Sequence, residues 1–145
     1  LEGVQDPGNL GTIVRTAAAA GVVELVLGVG CTQAWSPRAL RAGMGGHFVL
    51  QIREHVDLAA YLANFTGPVL ATSLGADSRT LYECDLAQPV AWLFGSEGLG
   101  LSAGLLQRAT QRVQIPMADH VESLNVASAV AVCLFEQRRQ LQLRG

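Results

Sequence analysis

Short apolar, β-prone runs alternate with helix-patterned stretches along the whole chain, and this alternation narrows the fold more than any other feature. Strands are expected at residues 22–29, 48–52, 69–72, 90–94 and 113–115, and residues 1–4 read as a strand already under way. Helices are expected from Asn9 to Ala20, from Ser36-Pro37 onward, over 56–64, from Ser102 through Arg108, and from Glu122 or Ser123 to Leu141. The punctuation agrees. Asn9 serves as a cap, Gly21 as a stop, Pro37 as a first-turn residue and Gly67-Pro68 as a turn. Strands separated by helices define an α/β domain with a largely parallel sheet, whose ligands bind where loops leave the carboxyl ends of the strands.

At 145 residues the chain suffices for one domain with a buried core. Half of it is apolar and 15% is charged, which excludes a disordered segment or a coiled coil. No apolar run is long enough to span a bilayer, and the first residues carry no secretory pattern, so a soluble, cytoplasmic protein is expected. Cys31, Cys84 and Cys133 lie far apart, without metal-ligand spacing; they read as reduced, mostly buried thiols, and no metal is expected.

Three segments carry unusual residues. In the first, Asp6-Pro7-Gly8-Asn9-Leu10-Gly11 leads to Arg15, the conspicuous polar group of an alanine-rich helix. Its guanidinium fork suits a phosphate or carboxylate, though a helix cap and a surface arginine account for the same residues. The second, Phe94-Gly95-Ser96-Glu97-Gly98-Leu99-Gly100, sets one carboxylate among three glycines at a strand end. It lacks Gly-Lys-Ser/Thr, its glycines fall as GxxGxG rather than GxGxxG, and Ser96 is not in a nucleophile elbow. Those absences exclude a P-loop and count against a dinucleotide-dependent oxidoreductase; a solvated turn carboxylate stays open for Glu97. The third is Ile115-Pro116-Met117, then Ser123-Leu124-Asn125-Val126-Ala127, where Ser123 and Asn125 read equally as helix caps.

Taken in order and spacing, these segments resemble the three signature motifs of the SpoU (TrmH-like) family of RNA ribose 2′-O-methyltransferases. Asn9-Leu10-Gly11 with Arg15 matches the first, Phe94 to Gly100 the second, and Ile115 to Ala127 the third. The resemblance extends over essentially the whole chain, including Met44-Gly45-Gly46-His47-Phe48. It implies an α/β domain closed by a C-terminal deep trefoil knot. It also implies S-adenosylmethionine as methyl donor, RNA as acceptor and a homodimer with the site near the subunit interface. The donor would meet the backbone of Gly95, Ile115 and Leu124, with Thr72 and Ser73 beside it. Arg15 would act on the ribose 2′-hydroxyl and its neighbouring phosphate. Glu97 would orient Arg15 or Asn125, while Asn9, Ser123 and Asn125 fix the ribose and the loops.

A net charge of −2 is unusual for a protein that meets RNA, and all ten strong bases are arginine. Clustering of those arginines on one face, or an N-terminal RNA-binding domain outside residues 1–145, would reconcile the two. Ribosomal RNA is the expected target by family analogy, with transfer RNA or a non-enzymatic RNA-binding module as alternatives. His47, His55 and His120 read as packed or solvated residues rather than bases, and Arg138, Arg139 and Arg144 as a solvated last helical turn.

Overall fold

The computed structural model describes all of residues 1–145. The elements run α1 (Pro7–Ala20), β1 (Glu24–Gly28), α2 (Pro37–Gly43), β2 (Gln51–Val56), α3 (Leu58–Ala63), β3 (Val69–Thr72), β4 (Arg79–Thr80), β5 (Ala91–Leu93), α4 (Ala103–Arg108), β6 (Gln111–Gln114) and α5 (Val126–Arg144). Every strand pairing is parallel. β1 pairs with β2, and the other four lie in the order β4-β6-β3-β5. The expected parallel α/β architecture is therefore present.

Residues 1–4 connect the two sheets without forming a strand of either. The Leu1 backbone nitrogen donates to the Val26 carbonyl at 2.7 Å, and the Gly28 N–H donates to the Leu1 carbonyl at 2.9 Å. On the other side the Glu2 N–H donates to the Phe94 carbonyl at 3.0 Å. The segment thus ties β1 to the end of β5.

Several boundaries differ from the sequence reading, each for a local reason. Asp6, not Asn9, caps α1: its Oδ1 accepts from the Asn9 N–H at 2.8 Å, which leaves the Asn9 side chain free inside the first turn. Asp57 caps α3 by accepting from the Ala60 N–H at 3.1 Å, so that helix starts at Leu58. Asn125 caps α5, its Oδ1 taking the Ala127 and Ser128 N–H groups at 2.9 and 3.3 Å; Glu122 and Ser123 stay in the preceding loop. Phe48, the expected start of the 48–52 strand, instead ends a 3₁₀ turn over Gly46–Phe48, and β2 starts only at Gln51. β4 was not foreseen, because two residues carry no periodicity.

The main core gathers Leu10, Ile13 and Val14 of α1, Leu25 and Leu27 of β1, and Val126, Val130, Cys133 and Leu134 of α5. A smaller core joins α3 and α4 through Leu58, Leu62, Leu93 and Leu105. Gly11 lets α1 lie directly on α2: a Cβ there would stand 2.4 Å from the Ala39 carbonyl oxygen and 2.5 Å from the Ala42 methyl. Cys84 and Cys133 are buried, Cys31 is half-buried, and none is disulfide-bonded. No helix is long and apolar enough to cross a membrane.

Candidate functional site

Because β3, β5 and β6 are parallel, their carboxyl ends open on one edge, and the loops that follow converge there. Between them lies a cavity of about 380 Å³, within the range of small-molecule pockets. Thr72 ends β3 and Ser73 follows it, Gly95 follows β5, Ile115 follows β6 and Leu124 precedes α5; all five expected donor residues line this cavity. Glu97 and Ser123 line it too, as do Leu74 and Met117, which sequence reasoning missed. A larger cavity of about 450 Å³ lies between β1 and β5, but 20 of its 25 lining residues are hydrophobic and, of the three motifs, it is lined by Phe94 alone. Convergent polar groups select the smaller cavity.

The glycines of the second loop serve the loop itself. A Cβ on Gly95 would sit 2.2–2.4 Å from the Gly100 carbonyl group and the Leu101 nitrogen, so two chain segments touch at the loop's neck. Gly100 has φ +65°, a left-handed conformation that suits glycine. The turn between them is closed by the Gly100 N–H donating to the Ser96 carbonyl at 2.9 Å and the Leu99 N–H to Ser96 Oγ at 3.2 Å.

From this loop Glu97 reaches the amino end of α5. Its Oε1 accepts from Asn125 Nδ2 at 2.7 Å, from the Val126 N–H at 3.2 Å and from Asn9 Nδ2 at 3.4 Å. Asn125 Nδ2 also donates to Asn9 Oδ1 at 3.0 Å. One residue from each motif therefore meets in a single network, across 88 and 116 positions of sequence. A carboxylate at the amino end of a 19-residue helix is favoured by the helix dipole as well as by its donors. Of the two partners expected for Glu97, Asn125 is the one it holds.

Arg15 stands apart. It is exposed on α1, with Gly46 packed against its backbone, and it makes no hydrogen bond or ion pair. Ser123 is exposed on the cavity rim without a hydrogen-bond partner. The site's most useful unforeseen residue is Asp6, which fixes the Asn9 backbone and pairs with Arg38 at 3.4 Å; an Asp before Pro was the available signal. No histidine joins the network. His47 is buried, with Nε2 2.6 Å from the Ala34 carbonyl oxygen. No three His, Cys, Asp or Glu side chains come close enough to hold a metal ion.

Fold and cavity together define an α/β domain with a small-molecule-sized cavity among the loops at the carboxyl ends of parallel strands, and a polar cluster at its rim. The chain belongs to the SpoU rRNA methylase family, whose model matches residues 1–135. It is 46% identical, over 97% of its length, to an uncharacterised tRNA/rRNA methyltransferase of Synechocystis, and spans 52% of that protein. It is 40% identical over 97% of its length to the tRNA (guanosine(18)-2′-O)-methyltransferase of Thermus thermophilus, of which it covers 73%. An AdoMet-bound rRNA methyltransferase from Sinorhizobium meliloti superposes with a TM-score of 0.91 at 39% identity, covering 97% of this chain and 55% of that one. The chain thus spans about half the length of the first of these relatives.

Proposed function

We propose that residues 1–145 form the catalytic domain of an S-adenosylmethionine-dependent RNA ribose 2′-O-methyltransferase, acting on ribosomal RNA. The observation that carries this reading is the cavity lined by Thr72, Ser73, Gly95, Ile115 and Leu124 beside the Glu97–Asn125–Asn9 network. Its apolar lining residues contribute main-chain donors and acceptors suited to a nucleoside and an amino-acid moiety. When bound there, S-adenosylmethionine supplies an electrophilic methyl group, and no metal is needed to activate it.

Arg15, unpaired and exposed, holds the phosphate beside the target ribose and offsets the negative charge that develops on the 2′-oxygen. It acts as a charge stabiliser, and the phosphate takes the proton. Glu97 fixes Asn125 and the amino end of α5, while Asn9, Asn125 and Ser123 set the ribose and the rim of the cavity. The C-terminal segment threads into a deep trefoil knot, which brings the third motif's loop against the second's. The chain works as a homodimer, and the exposed Phe135, Leu141 and Leu143 of α5 supply apolar surface for that contact.

The test is calorimetric titration of the purified domain with S-adenosylhomocysteine, followed by labelled-methyl transfer to ribosomal and transfer RNA. Saturable one-site binding with 2′-O-methylation of ribosomal RNA is expected. Labelling of transfer RNA alone would move the substrate, and absence of binding by the folded protein would leave a non-enzymatic RNA-binding module.

A further inference from the structure

Glu2 belongs to none of the three motifs, yet it touches both ends of the glycine loop that walls the cavity. Its main-chain N–H donates to the Phe94 carbonyl at 3.0 Å, where the chain leaves β5 and enters the loop. Its carboxylate Oε2 accepts from the Ser102 N–H at 2.7 Å, where the chain leaves the loop for α4. These partners lie 100 positions apart in sequence. Gly3, with φ +68°, rests against the same loop: a Cβ there would meet Ser96 Cβ at 3.4 Å. Residues 2 and 3 therefore grip the loop at its entry, its exit and its first turn.

The grip bears on the cavity because of how the loop is built. Gly95 and Gly100–Leu101 are in closest approach at the neck, and everything between them hangs from that contact. Gly95 and Glu97 both line the cavity, and Glu97 must keep its line to Asn125. A carboxylate-to-amide hydrogen bond is among the stronger polar contacts, and here it holds the neck's outgoing strand beside the incoming one. Loosening it lets the neck open, and the Gly95 backbone then loses its fixed position.

We infer that Glu2 is a positioning residue for the proposed methyl-donor site, clamping the glycine loop so that Gly95 and Glu97 are set before the ligand arrives. This inference rests on the S-adenosylmethionine reading. Three variants separate it from plain fold stabilisation: Glu2→Ala removes the acceptor, Glu2→Gln keeps a carbonyl acceptor, and Glu2→Asp draws the carboxylate back by one methylene.

Dissociation constants for S-adenosylhomocysteine, measured by calorimetry on the folded proteins, give the first reading. We expect about tenfold weaker binding for Glu2→Ala and near-parental binding for Glu2→Gln. In methyl transfer, KM for the donor rises in Glu2→Ala, and kcat falls by less than it does in Glu97→Gln. If Glu2→Ala does not fold, Glu2→Asp carries the test: weaker binding supports the clamp. Parental affinity in the alanine variant, or in the aspartate variant where that one is used, overturns it. So does a lowered melting temperature with unchanged affinity. A parental protein that binds no S-adenosylhomocysteine overturns the donor-site reading itself, a failure visible before any variant is made.

Discussion

Glu97 and Arg15 illustrate two opposite conditions of a charged side chain. Glu97 is satisfied: a single oxygen accepts from two asparagine amides and one backbone N–H. Replacing it with glutamine keeps the shape but removes the charge that strengthens these bonds. Glu97→Gln should slow methyl transfer about tenfold or more while S-adenosylhomocysteine binding changes by no more than about threefold. Unaltered turnover would make Glu97 merely structural. Arg15 is unsatisfied, exposed and without a partner, as a group kept for an incoming phosphate would be. Arg15→Ala should lower turnover about 100-fold or more and leave donor affinity nearly intact. Loss of donor affinity with normal turnover, read from the same titration and rate assay, would refute that assignment.

At the scale of elements, the site depends on how closely α1 lies on α2 and how α5 begins. The Gly11 position admits no side chain without moving the Ala39 carbonyl or the Ala42 methyl. Gly11→Ala should destabilise the fold by about 1–3 kcal/mol despite alanine's better helix propensity, measurable by urea unfolding. The outer part of α5 carries a pH dependence. Glu136 accepts from Arg139 Nε and Nη2 at 2.8 and 2.7 Å and from Gln140 Nε2 at 2.8 Å, and the Arg139 guanidinium above all holds its carboxyl down to about 2. A carboxyl with a depressed folded pKa adds stability above its ordinary pKa of about 4.5 and loses it as pH falls toward about 2. Acid unfolding curves should therefore be flatter between those values in Glu136→Gln, and NMR titration should place the native carboxyl near the lower one.

For the whole molecule, charge and apolar surface point outward to partners. Four arginines are engaged with carboxylates: Arg38, Arg53, Arg139 and Arg144. α1 and α2 carry Arg15 and Arg41, neither of them in an ion pair, beside Arg38, so that pair of helices offers the positive charge that a net charge of −2 would not suggest. α5 buries one side against α1 through Val130 and Cys133 and leaves Phe135, Leu141 and Leu143 exposed. A homodimer that covers this surface should sediment at twice the monomer mass, and Phe135→Arg should shift it toward monomer. Sedimentation of the parental protein as a monomer at high concentration would reject that assembly.

The parallel α/β class was legible along the chain, because period and punctuation are local properties: Pro37, Gly21 and the 69–72 run all mark elements found where they were expected. The family motifs are legible there too, and so are Thr72, Ser73, Gly95, Ile115 and Leu124, which line one cavity, since their order along the chain is what the resemblance uses. Caps were only half legible. Asp6 and Asn9 compete within one turn, and Asn125 competes with Ser123; side-chain geometry settles each, and in the first case it frees Asn9 for the site. Tertiary structure alone decided which charged groups meet. The Glu97–Asn9–Asn125 contact and the hold of Glu2 on Ser102 span most of the chain, and no local pattern encodes a distance between residues 88 to 116 positions apart. Such contacts arise only when parallel strands bring their loop ends to one edge, which is a property of the assembled sheet rather than of any segment in it.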